Sequence, residues 1–273
     1  MTRQNIFQIV NGIPNMLNFR NSGQGAGVGS MFTKKINPAY LWSFLGNSGG
    51  TFSGTTSQVV VLDSIASLPL NFTQGSGGSA CNATLNAGTN TITINNTPGA
   101  SGRIALTASF GINLTTFTFS FWAKVPNTSP SLQRLLELFS STVNTFQIDV
   151  PTNSNFIAIS TTAGGTQSPL DSLSGNPIVV SNLQHICITV NDTNFQVYIN
   201  GVSVLTKSTF PVNGMSSFFI GNIDSGTYRG CTCTVADIRI YNFVLTQTQI
   251  TALYNANQDV NAAIPTTNFI NLY

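Results

Sequence analysis

The sequence predicts an all-β fold: an antiparallel β-sandwich with one short C-terminal helix and an extended N-terminal arm. Three observations predict it. Runs of alternating apolar and polar residues recur along the chain, turn-forming Gly, Asn, Ser, Thr and Pro separate them at short intervals, and the one clear helix signal follows Leu245. A chain of 273 residues is ample to bury the core of such a sandwich.

The best-defined elements lie between residues 183 and 254. In 185–190, Ile186, Ile188 and Val190 alternate with more polar neighbours, the period of a strand with one buried face. Residues 191–194 turn the chain, and 195–199 again has period two. That strand ends in Asn200-Gly201, the dipeptide that best tolerates the positive φ angles of a tight hairpin, and 202–205 returns. Strands follow at 217–221 and 235–242, with a short segment at 228–230 between them. Thr246 and Gln249 have the spacing of a capping box, Leu245 and Ile250 that of a hydrophobic staple, and Ile250, Leu253 and Tyr254 share one helical face.

These landmarks, with Phe117-Thr118-Phe119-Ser120-Phe121-Trp122-Ala123-Lys124 before them, resemble the laminin-G-like branch of the concanavalin A-like lectin and glucanase superfamily. The 117–124 run is similar to that family's early "TFSFW-K" strand and 183–190 to its "WHHVAVTV" strand. Residues 195–202 are similar to its hairpin, 219–221 to its "l.iG" strand, and 235–254 to its final strand and helix. The resemblance covers residues 105–256, and 57–104 by analogy. Leu183 stands where the family usually has Trp, Gln184 where it has the first His, and Gln249 where it has Glu. The resemblance implies a jelly-roll sandwich over 57–256, with structural roles for His185 and Asp237.

Outside that sandwich the sequence predicts two appendages. Residues 1–56 read as a glycine-rich arm, with Gly23, Gly25, Gly27 and Gly29 in one stretch, and 257–273 as a tail. The arm is expected to wrap its own sandwich or to lie on a neighbouring subunit. Its apolar side chains, Phe32, Tyr40, Trp42 and Phe44 with Leu41 and Leu45, are the candidate anchors in either case, as are Phe269 and Tyr273, with Ile270 and Leu272, in the tail. Residues 1–17 contain Arg3 and no unbroken apolar run, so no secretory leader is expected. No segment approaches the roughly 18 apolar residues of a membrane span.

Charge narrows the functional classes. The chain has 10 Lys and Arg, 8 Asp and Glu, and a net charge of +2, where about a quarter of an average soluble protein is charged. Its surface must be covered by Asn, Ser, Thr and Gln, which suits close packing against neighbours and also suits sugar hydroxyls. The basic residues are scattered, with Lys34-Lys35 the one adjacent pair, so no nucleic-acid partner is expected. Six Asn-x-Ser/Thr sequons are no more than the composition gives by chance.

Catalysis is not expected. The chain has one His and one Glu, Glu137, which stands alone in its segment, whereas glucanases of the resembled superfamily use closely spaced Glu and Asp residues. Gly46-Asn47-Ser48-Gly49-Gly50 matches a nucleophile-elbow pattern but lacks its strand-before, helix-after context. Cys81, Cys187, Cys231 and Cys233 lack zinc-ligand spacing; a disulfide between Cys187 and one of the later pair and four unpaired thiols are both open. The resemblance implies rim calcium, for which Asp192, Asn194, Asn222 and Asp224 are the oxygen donors at hand. As turn residues they also bond their own backbone, and no cofactor or metal is expected.

Three functions follow in order. The first is a non-enzymatic structural protein, a minor capsid or other virion component of a large DNA virus, held to other subunits through arm and tail. The second is a lectin-like carbohydrate-binding module, extracellular or on a cell surface, with Tyr198 and Tyr228 as candidate stacking aromatics. A glycoside hydrolase comes last.

Overall fold

The computed structural model describes residues 7–10, 13–16, 36–44, 47–53, 58–62, 64–74, 81–96, 104–125, 132–141, 144–152, 154, 156–163, 166–167, 171–173, 182–192, 194–207, 214–221 and 230–258. The chain divides into two compact units. In the first, Met1–Phe32 with Asn271–Tyr273, strands β1 (Phe7–Val10) and β2 (Ile13–Met16) form an antiparallel hairpin.

The second unit, Thr33–Ile270, holds the remaining elements. In order these are β3 (Tyr40–Trp42), β4 (Gly50–Phe52), β5 (Gln58–Leu62), β6 (Pro69–Gln74), β7 (Asn82–Asn86), β8 (Thr91–Asn95) and β9 (Ile104–Leu114). Then come β10 (Thr116–Lys124), β11 (Gln133–Ser141), β12 (Asn144–Val150), β13 (Ala158–Ala163), β14 (Thr166–Gln167) and β15 (Asp171–Ser172). The last are β16 (Gln184–Asn191), β17 (Asn194–Ile199), β18 (Val202–Lys207), β19 (Met215–Ile220), β20 (Cys233–Tyr241) and α1 (Gln247–Asn255).

Two antiparallel nine-stranded sheets form the sandwich. The first runs β18-β17-β16-β10-β20-β8-β7-β4, with β3 also paired to β20. The second runs β14-β13-β12-β11-β19-β9-β6-β5, with β15 also paired to β13. Alternation decides which side chains fill the space between them. Phe117, Phe119 and Phe121 of β10 point inward with Ile186, Ile188 and Val190 of β16, and meet Phe146, Phe218 and Ile220 of the second sheet. Burying each such side chain stabilises the fold by roughly 1.5–3 kcal/mol. The Asn200-Gly201 turn forms as its sequence requires, with φ of +52° and +76°. At Gly201 the positive φ is what favours glycine, since a Cβ there would stand 3.4 Å from Tyr254, at ordinary van der Waals contact.

The arm expected over 1–56 is divided. Residues of β3 pair with β20, Leu41 opposite Arg239, and β4 pairs with β7, so the boundary expected at residue 56 lies within the second unit. The reason is apolar burial: Trp42 and Phe44 are 0% exposed and pack in their own chain's core, the Trp42 indole N–H donating to the Leu68 carbonyl at 3.0 Å. They are therefore not surfaces offered to a neighbour. Tyr40 is half-buried and stacks on Trp42 with ring centres 5.9 Å apart. Phe32, Leu45, Phe269 and Tyr273 lie outside the described residues.

Candidate functional site

The outer face of the first sheet is built from the other half of the same alternation. Thr118, Ser120 and Trp122 of β10 point away from the core, across from Thr189, Cys187 and His185 of β16. Helix α1 covers part of this face. Its start is fixed by the capping box the sequence predicts: the Gln249 amide N–H donates to Thr246 Oγ1 at 3.4 Å and the Thr246 N–H to Gln249 Oε1 at 2.8 Å. Leu245, Ile250 and Leu253 then bury against Cys187, Tyr198 and Tyr241 in a second apolar cluster. Burial pushes the Tyr241 hydroxyl up to about 12 and the Cys187 thiol well above its ordinary value.

Beside the helix, β20 carries a bulge: Ser120 pairs with Arg239 and Trp122 with Ala236, which leaves an extra residue on β20. Asp237 takes a left-handed φ of +48° there and accepts from Arg239 Nε at 2.8 and 3.0 Å and from its Nη2 at 2.7 Å. This is the hydrogen-bonding role expected for Asp237. His185 is 0% exposed, with Nε2 2.8 Å from Ser120 Oγ, and Nδ1 has no hydrogen-bond partner among the described residues. Burial, with Arg239 adding to it, lowers His185 to about 3, so the imidazole is neutral.

Where α1 ends, the cover ends, and a cleft of about 490 Å³ opens. It is lined by Trp122, Asn182, Leu183, Gln184, Asn200, Tyr254, Asn255 and Asn257. Trp122 and Tyr254 stack with ring centres 5.8 Å apart at 24°, and His185 lies 5.4 Å from the first and 6.2 Å from the second. Asn200 is held by its turn: its Oδ1 accepts from the His185 N–H at 3.0 Å and its own N–H donates to the His185 carbonyl at 2.8 Å. Among the described residues the lining combines two aromatic rings with five amide side chains and has no carboxylate, Lys or Arg. Such a surface can stack on the C–H face of a ring and exchange hydrogen bonds with hydroxyls; it holds no acid–base pair.

The second sheet presents a different cluster on its outer face. Glu137 sits opposite Gln147, and Arg134 opposite Asp149, in the β11–β12 register. Arg134 Nη1 reaches Glu137 Oε1 at 3.3 Å, its Nη2 reaches Asp149 Oδ2 at 3.3 Å, and its Nε bonds Asp149 Oδ1. Gln147 Nε2 donates to Glu137 at 3.2 Å, and Ser160 Oγ donates to Gln147 at 2.8 Å and to Asp149 at 3.2 Å. Glu137 is thus not alone: strand pairing brings it a second carboxylate that the linear sequence keeps twelve positions away. Arg134, Glu137 and Asp149 are 1, 2 and 0% exposed. Both carboxylates are spent on one guanidinium, which suits a fixed internal tie.

The other sequence candidates fall elsewhere. Tyr198, expected as a stacking aromatic, is 4% exposed beneath α1, because its strand position points into the second apolar cluster. Tyr254, half-buried at the cleft, takes that place, with Trp122, 5% exposed, stacked beneath it. The signal available for Trp122 was its outward position in the 117–124 alternation, but nothing local tied it to Tyr254. Asp192 closes the β16–β17 turn at φ +52°, its N–H donating to the Thr115 carbonyl at 3.1 Å. Among the described residues no three His, Cys, Asp or Glu side chains gather as a metal-binding group. Asn222, Asp224 and Tyr228 lie outside the described residues. Ser48 runs into strand β4, with no helix after it. All four cysteines are buried free thiols, and no helix among the described residues is long and apolar enough to cross a membrane.

Comparison with known proteins agrees with this architecture. A family model described as the Concanavalin A-like lectin/glucanases superfamily matches residues 74–251. No curated protein matches the chain. Among solved structures, the Botulinum neurotoxin serotype G binding domain superposes with a TM-score of 0.54 at 15% identity, over 81% of this chain and 51% of that one. Trypanosoma rangeli sialidase, in complex with a difluoro-KDN, gives a TM-score of 0.57 at 15% identity over 82% of this chain and 33% of that one. Domain 4 of AbnA, an extracellular GH43 arabinanase from Geobacillus stearothermophilus in complex with arabinotriose, gives 0.53 at 16% identity, over 81% of this chain and all of that domain. The chain spans about half of the neurotoxin domain and a third of the sialidase; at these identities the likeness is one of fold.

Proposed function

Since the chain belongs to the concanavalin A-like lectin/glucanase superfamily, we propose that it is a non-catalytic carbohydrate-binding module that takes an uncharged oligosaccharide at the Trp122–Tyr254 cleft. One observation carries this reading: the half-buried Tyr254 ring, stacked on the buried Trp122, is rimmed by Gln184, Asn182, Asn200, Asn255 and Asn257, with no charged side chain among the described lining residues. Aromatic faces and neutral amides match the alternating C–H and hydroxyl surfaces of a neutral sugar. An acidic sugar would find no cation among the described lining residues. The solved complex of the arabinanase domain with arabinotriose, a neutral oligosaccharide, supports the same ligand class. Fold alone does not grant function, so the lining carries the argument.

Hydrolysis is disfavoured because Glu137 and Asp149 are both held by Arg134 away from solvent. A glycan ligand suits display outside a cell or on the outside of a particle. The reading as a virion subunit keeps the support of the low surface charge, but Trp42 and Phe44, two of its anchors, belong to their own chain's core.

The test is a glycan array probed with the full chain and with Tyr254→Ala. Binding is expected to concentrate on neutral oligosaccharides and to fall about tenfold or more in the variant, the loss of one stacking contact. Binding confined to sialylated or sulfated glycans, or unchanged in Tyr254→Ala, overturns the assignment.

A further inference from the structure

The amides around the cleft are not equivalent. Asn182, Asn255 and Asn257 are exposed, and their side chains make no hydrogen bond among the described residues, so each can turn to offer its carbonyl or its NH2. Asn200 cannot. It is half-buried and takes a left-handed φ of +52° in the turn between β17 and β18. Its Oδ1 accepts from the His185 backbone N–H at 3.0 Å while its own N–H donates to the His185 carbonyl at 2.8 Å. The side chain thus adds a rung to the β16–β17 ladder beyond the Ile186–Ile199 pair.

A backbone N–H only donates, so it decides which way the Asn200 amide faces: the oxygen towards His185 and the NH2 away from it. The turn is also held from the helix. Gln247 Nε2, in the first turn of α1, donates to the Gly201 carbonyl at 2.5 Å, and Thr251 Oγ1 donates to the same oxygen at 3.5 Å. Asn200 Nδ2 has no hydrogen-bond partner among the described residues, and Asn200 lines the cleft.

Resting on the assignment of that cleft to an uncharged oligosaccharide, we propose that Asn200 is its specificity-determining residue, a fixed donor that selects sugars placing an acceptor oxygen against the hairpin turn. A donor oriented before binding loses little freedom on binding. A ligand that sets an apolar or donor-only group against it leaves it desolvated and unpaired, which is how a polar site rejects a near-match. The three exposed amides adapt to whichever hydroxyl faces them and so add affinity with less discrimination.

The probe is the neutral oligosaccharide of a glycan array, arabinotriose included, that the wild type binds most tightly, titrated calorimetrically into the wild type, Tyr254→Ala and Asn200→Asp. Asn200→Asp keeps an oxygen for the His185 N–H and a residue that tolerates the turn's positive φ, and it replaces the donor by an acceptor. At pH 7 its affinity is expected to be about tenfold or more below that of the wild type, with an unchanged urea unfolding midpoint. As pH falls to about 4 an aspartyl side chain takes up a proton and regains an O–H donor, so the loss is expected to shrink. An unchanged affinity in Asn200→Asp beside a loss in Tyr254→Ala overturns this inference and leaves the cleft assignment standing. So does a loss in Asn200→Asp that is equal at both pH values or comes with a lowered unfolding midpoint. A wild type that binds no neutral oligosaccharide of the array overturns both.

Discussion

On the outer face of the first sheet, Cys187, Tyr198 and Tyr241 are covered by the apolar side of α1. On the outer face of the second, Arg134, Glu137, Gln147, Asp149 and Ser160 are buried and bond to one another. The two faces share one interior and are closed by opposite chemistry. An apolar cover stops where its helix stops, and the seam between α1 and the sheet is where Trp122 and Tyr254 meet amide side chains in a cleft. A polar network closes only when every member is satisfied, and its ionic members are at most 2% exposed. The face that looks chemically richer is thus the structural one, and the face that looks like ordinary packing carries the opening.

The largest effect should come from breaking the polar face. Arg134→Met leaves Glu137 and Asp149 buried without their cation, and removing one partner of a buried pair costs about 3–5 kcal/mol; denaturant unfolding should show a loss of that size. The apolar face should lose less. Leu253→Ala opens a cavity under α1 at a cost of about 2–4 kcal/mol, read in the same unfolding experiment, while leaving the second sheet's network in place.

Acid should separate the faces further. His185 has a folded pKa of about 3, below its ordinary 6.5, so the unfolded chain takes up a proton that the folded chain refuses. Its contribution is fully present above pH 6.5 and is lost as pH falls toward 3, with a slope approaching about 1.4 kcal/mol per pH unit. In His185→Gln the fall in stability between pH 6 and 4 should be shallower by that amount. A difference curve that is flat over this range contradicts a neutral, buried His185. Removing the cap with Thr246→Ala should cost about 1 kcal/mol in unfolding free energy. Lys207→Ala, which breaks an ion pair about 40% exposed on both sides, should change it by less than about 1 kcal/mol.

How much of this was legible follows from locality. The strands from β16 to β20 and the capping box are written in short periodic runs and one Asn-Gly turn, so the sequence predicts them closely. Strands β3 and β4 are three residues each and exist only because distant partners, Arg239 and Thr84 among them, hold them. No periodicity marks them, and the arm was expected to extend to residue 56 for that reason. The Arg134–Asp149 pair depends on a hairpin register with a bulge between Arg134 and Leu136, which no spacing rule supplies. The cleft is assembled from residues near 122, 182, 200 and 255, four segments that meet only after the sandwich and α1 have formed.

Calorimetric titration with a neutral oligosaccharide that binds the wild type, repeated on Tyr254→Ala and on Phe219→Ala, tests most directly that binding belongs to the first face. Phe219 is a half-buried aromatic on the second sheet's outer face, edge-on to Phe139 with ring centres 6.0 Å apart. The account predicts that affinity falls about tenfold or more in Tyr254→Ala and is unchanged in Phe219→Ala. Loss in Phe219→Ala with full affinity in Tyr254→Ala would contradict it and move the site to the second sheet.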